Sequence, residues 1–76
     1  VISNSHKTFA DTNLLVRTVM ENAINDNNWT SADYAKKVGI STVKVMSLRK
    51  GLIMIDSLTV GELMKIGRFH KIDFIF

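Results

Sequence analysis

Apolar residues return every three or four positions along four stretches of the chain, and the breaks between them fall at glycine, asparagine and serine. Leu15, Val16, Val19, Met20, Ala23 and Ile24 make the first stripe, which predicts a helix from Asp11 to Asn25 with Asp11 or Thr12 as its cap. The run Asn25-Asp26-Asn27-Asn28 ends it, because these short side chains compete for backbone hydrogen bonds in turns. Arg17 and Glu21 are four apart on this helix and are expected to pair at its surface, a contact worth only about 0.3 to 0.5 kcal/mol.

The second and third stripes are short and close together, from Ser31 to Lys50. Thr30 and Asp33 have the spacing of a capping box, with Trp29 and Tyr34 placed for a hydrophobic staple across the helix start. Ala35 is small on the inner face, where another helix can cross closely, and Gly39 can take the left-handed conformation that stops a helix. Ile40 then points inward and Ser41 can cap the next helix. In that helix Val45, Leu48 and Leu52 are the expected buried stripe, and Gly51 is the expected C-terminal cap. Thr42, Val43, Met46, Ser47 and Lys50 fall on the opposite face.

The connection Leu52 to Asp56, LIMID, is apolar for a loop, so one or two of Ile53, Met54 and Ile55 are expected in the core. Thr59 and Glu62 repeat the capping-box spacing, with Ser57 as a competing cap, and Val60, Leu63, Ile66 and Gly67 make the fourth stripe. Gly61 and Gly67 lie inside this helix at a cost of roughly 1 kcal/mol each relative to Ala, and close approach of another helix is the expected reason at Gly67. Met64 reads as core filler and His70 as a residue that can interact with the helix dipole. Residues 1–10 lack periodicity and read as an irregular arm, with His6 exposed. Residues 71–76 alternate Ile72, Phe74 and Phe76 with Asp73 and Ile75; the tail either pairs as a short strand with a second subunit or packs on the first helix.

Seventy-six residues make one domain with a small core, to which oligomerisation could add burial. Without cysteine there is neither a disulfide framework nor a thiolate metal site. No metal or cofactor is expected, because the two histidines lie at opposite ends of the chain. The chain offers no nucleophile with a base, no paired carboxylates and no phosphate-cradling glycine loop, so an enzyme is not expected. No apolar run approaches the length of a membrane span, nor is there the apolar core of a secretory signal. Lys36, Lys37, Lys44, Arg49 and Lys50 occur with no acid between Tyr34 and Ile55, against five cations and seven acids elsewhere. The net charge of +3 thus conceals a segment of +5 and a remainder of −2. A basic segment of that kind suits a phosphate backbone.

Ala35, Val38, Gly39, Ile40, Val45 and Leu48 stand as the small, apolar and glycine positions do in the helix-turn-helix of phage repressor and Cro-like proteins. SLTVGELMKIGRF resembles the next helix of that family, and HigA-type antitoxins are similar over the same stretch, from Trp29 to Phe69. The resemblance implies an all-α, four- to five-helix lambda-repressor-like bundle over residues 11–70. It further implies a cytoplasmic, sequence-specific regulator of double-stranded DNA, acting as a homodimer at the nucleoid of a bacterial or phage-infected cell.

On that reading Thr42, Val43, Met46, Ser47 and Lys50 would face bases, while Ser31, Lys36, Lys37, Lys44 and Arg49 would hold phosphates. Ile72, Phe74 and Phe76 would serve dimerisation. The recognition face departs from the family by lacking Gln, Asn or Arg at its front, which shifts the expectation toward DNA shape and methyl contacts. The alternative is an interaction module that grips a protein partner, a toxin or a host factor, through the apolar loop and tail.

Overall fold

Val16, Met20 and Ile24 are spaced one turn apart and are all buried, and around them the computed structural model, which describes residues 9–74, builds a single core. They belong to α1 (Phe9–Asn27), which is followed by α2 (Ser31–Val38), α3 (Thr42–Lys50), a single 3₁₀ turn (Ile55–Ser57) and α4 (Val60–His70). The protein is an all-α bundle, and no strand occurs among the described residues. Tyr34, Ala35 and Val38 of α2, Val45 and Leu48 of α3, Ile55 and Leu58 of the connection, and Ile66 of α4 complete the core. No helix among the described residues is long and apolar enough to cross a membrane.

α1 begins at Phe9, inside the stretch expected to be an arm, so Asp11 and Thr12 lie within the helix and not ahead of its first residue. Its end lies two residues beyond Asn25, where Asn28 takes a left-handed conformation (φ 54°) and the Trp29 N–H returns to the Ile24 carbonyl. Asn tolerates that conformation better than most side chains. Both capping boxes form as their spacing requires: Thr30 with Asp33 opens α2, and Thr59 with Glu62 opens α4. The Asp33 carboxyl is held below its ordinary value by the Thr30 backbone N–H that it accepts.

Ser41 occupies the cap position of α3, but its hydroxyl makes no capping hydrogen bond. Gly51 is left-handed (φ 74°) and turns the chain sharply, with the Leu52 N–H donating to the Ser47 carbonyl. That turn carries Leu52 off the buried stripe of Val45 and Leu48 and leaves it 73% exposed, contrary to its spacing. Within LIMID, Ile55 is buried, Ile53 packs partly on the core and Met54 is exposed. The loop is anchored by a buried polar group: Asn13 of α1 accepts the Ile55 N–H at 2.9 Å.

α4 returns an aromatic cluster to α2. Trp29 and Tyr34 do not staple to each other through a ring contact; each instead packs on Phe69, at centroid distances of 6.1 and 5.8 Å. The buried Tyr34 hydroxyl pairs with His70 Nε2 at 2.7 Å. Burial pushes the His70 pKa down, so the ring is neutral at pH 7 and does not act as a cation on the helix dipole. Burial likewise pushes the Tyr34 phenol up. Met64, expected in the core, is 47% exposed on the outer side of α4.

The tail folds back as an irregular segment. Lys71 is left-handed (φ 58°), the Ile72 N–H donates to the Gly67 carbonyl, and Phe74 packs partly against the core. A Cβ on Gly67 would stand 2.6 Å from the Ile72 carbonyl oxygen, so this glycine makes room for the tail and not for another helix. Of the two expectations for the tail, a strand pairing with a second subunit or packing on the first helix, the described part shows Phe74 packed in cis beside Gly67 of α4 and partly against the core; Phe76 lies outside the described residues.

Candidate nucleic-acid interface

The turn between α2 and α3 places α3 on the outside of the bundle. Gly39 is left-handed (φ 91°), and the N–H groups of Gly39 and Ile40 both donate to the Ala35 carbonyl, which closes α2 within one residue. Ala35 itself is buried in the shared core, and Val45 and Leu48 are the α3 side chains that turn inward. The remaining residues of α3 are thereby left toward its edges and its outer side.

Of the five residues expected to face bases, Val43 is 71% exposed, Met46 is 41% exposed and Lys50 is also exposed. Thr42 and Ser47 are half-buried. Met46 and Lys50 line one wall of an open groove of about 840 Å³, whose opposite wall is the Leu14 and Thr18 side of α1. Ser31, the first residue of α2, also lines it.

The residues expected to hold phosphates divide into two groups. Lys36 and Lys37 are exposed on α2 and make no ion pair among the described residues. Lys44, Arg49 and Ser31 are already engaged within the chain. Lys44 Nζ lies 2.7 Å from Glu62 Oε1, an oxygen that also accepts the Thr59 N–H of the α4 capping box. Arg49 grips Glu21 with two parallel hydrogen bonds, Nε to Oε2 at 2.5 Å and Nη2 to Oε1 at 3.0 Å, and its Nη1 donates to Ser31 Oγ at 2.8 Å. This fork ties α1, α2 and α3 together, so the Arg49 guanidinium is already paired within the chain.

The two pairs leave their mark on the carboxyls. The hydrogen bond from Arg49 holds Glu21 below its ordinary pKa, and the hydrogen bond from Lys44 does the same to Glu62. The Arg49 guanidinium is correspondingly raised by its bond to Glu21. Arg17, expected to pair with Glu21, turns to the end of α3 instead, where its Nη2 donates to the Arg49 carbonyl at 3.1 Å. Without pairing with Glu21, the Arg17 charge still helps to lower the Glu21 pKa.

The sequence pattern gave no warning of Glu21 and Glu62 as partners for α3. Each acid is remote in the chain from the cation it meets, and the only local signal was the second role of Glu62 in its capping box. Removing Lys44 and Arg49 from the free set leaves Lys36, Lys37 and Lys50 as the exposed cations of the basic segment. No family model, curated protein or solved structure matches the chain.

Proposed function

We propose that the chain is a sequence-specific double-stranded DNA-binding regulator of the repressor or Cro type, entering the major groove with the outer side of α3. The observation that carries the reading is the exposure of Val43, Met46 and Lys50 on a short helix held outside the core by the left-handed Gly39 turn. A helix fits the major groove in width and depth. Lys36, Lys37 and Lys50 supply the positive charge that such a surface needs.

The homodimer that this reading implies would rest on a surface other than Phe74, which packs partly against the core in cis. Val60 and Met64, one turn apart on α4 and 54% and 47% exposed, are the apolar residues suited to that contact. The same two residues, with exposed Leu52 and Met54, favour the second reading, a module that grips a protein partner.

A salt titration of duplex binding separates the two. Each phosphate neutralised adds about −0.9 to the slope of log K against log salt, so three exposed lysines per subunit give a steep dependence. A flat response, or no duplex binding, overturns the DNA reading in favour of the protein-binding one. Within the DNA reading, Lys37→Ala weakens all sequences alike, whereas Thr42→Ala changes the order of preference among them.

A further inference from the structure

The exposed part of α3 is poor in groups that make paired hydrogen bonds to bases. Its one guanidinium is spent on Glu21 and Ser31, and Lys44 is spent on Glu62. Thr42 and Ser47 are half-buried, and a single hydroxyl suits more than one base. Lys50 stands at the last position of the helix.

What α3 does present is hydrocarbon. Val43 and Met46 are three residues apart, hence neighbours on one helical face, and both are exposed. The major groove offers one apolar group on the four standard bases, the C5-methyl of thymine, and 5-methylcytosine carries the same group. Valine in a helix is confined almost to one rotamer and so holds its methyls in a fixed place, whereas methionine adapts to what lies beside it. The flanking charge on Lys36, Lys37 and Lys50 complements a polyanion better than it does an apolar protein surface.

We infer that Val43 and Met46 make α3 a reader of pyrimidine C5-methyl groups, so that its preferred duplexes carry thymine or 5-methylcytosine where these two side chains meet the groove. This rests on the DNA-binding reading above. It adds that discrimination comes from removing apolar surface from water and not from amide or guanidinium hydrogen bonds.

The test uses the full chain and duplexes selected from a random pool, remade with deoxyuridine in place of thymidine so that only methyl groups are lost. Affinity is expected to fall about fourfold for each contacted methyl, and to return when thymidine is restored at the contacted positions. In Val43→Ala and Met46→Ala, exposed sites whose truncation leaves the core intact, the ratio of thymine to uracil affinity shrinks toward one.

Equal affinity of the wild-type chain for thymine and uracil duplexes overturns the methyl inference while leaving DNA binding in place. A ratio unchanged in both variants overturns the assignment to Val43 and Met46. If no duplex in the pool is retained, the DNA reading itself falls and the inference with it.

Discussion

Gly39 and Gly67 both favour glycine in this fold, for opposite reasons. At Gly39 there is room for a side chain, since a Cβ would meet only the Lys65 Cδ at an ordinary 3.7 Å, but the backbone is left-handed at φ 91°. At Gly67 the backbone is ordinary helix, but a Cβ would stand 2.6 Å from the Ile72 carbonyl oxygen and 3.2 Å from the Phe74 ring. The α2–α3 turn depends on conformation, the α4–tail junction on space. A conformational demand can be met by another residue tolerant of that region; a demand for space cannot.

The largest effect is expected at Gly67. Alanine there must lift the tail, losing the Ile72 N–H bond to the Gly67 carbonyl and the packing of Phe74, against about 1 kcal/mol gained in helix propensity. A net loss of about 2 kcal/mol in denaturant unfolding follows. Phe74→Ala in that background adds little, because its packing is already gone, whereas two independent sites would add in full. Additive losses would show that the tail does not press on Gly67.

Gly39→Ala comes next, at about 1 kcal/mol for a left-handed alanine. Gly39→Asn costs visibly less, since asparagine visits that region with a local hydrogen bond, whereas Gly67→Asn recovers nothing. Equal losses for alanine and asparagine at Gly39 would mean that space, and not φ, governs the turn. The pair of asparagine variants therefore tells the two glycines apart by unfolding alone.

The reason at Gly39 was legible in the sequence and the reason at Gly67 was not. The turn is a local device: Thr30 meets Asp33 three residues on, and Gly39 closes on Ala35 four residues back, so spacing alone reveals it. The same holds for Thr59 with Glu62. Gly67 answers to a tail that folds back only because Lys71 turns left-handed, and nothing in the tail's alternating pattern announces that reversal. Leu52 was misplaced similarly, since its spacing continues the stripe that the Gly51 turn breaks. At the candidate interface, counting charge along the chain found five cations, but Glu21 and Glu62 reach two of them from other helices. Exposure of Val43 and Met46 was legible because helical period alone decides which side of α3 they occupy.

The smallest effect concerns the link between the two regions, the hydrogen bond from α2 to the end of α4 between Tyr34 and His70. Burial lowers the His70 pKa from 6.5, so the unfolded chain binds more protons than the folded one between the lowered value and 6.5. Stability from this group is therefore complete above 6.5 and declines as pH falls toward the lowered value. The acid losses from Glu21 and Glu62 set in separately, below their ordinary 4.5. His70→Gln removes the titration while keeping an acceptor for the Tyr34 hydroxyl, so stability at neutral pH changes by less than about 1 kcal/mol and the decline in the histidine window disappears. In Gly67→Ala, where the lifted tail wets the end of α4, the decline shrinks as well; in Gly39→Ala it stays. A decline that persists in His70→Gln would detach it from this hydrogen bond, and one that vanishes in Gly39→Ala would mean that the turn and the tail junction unfold as one unit.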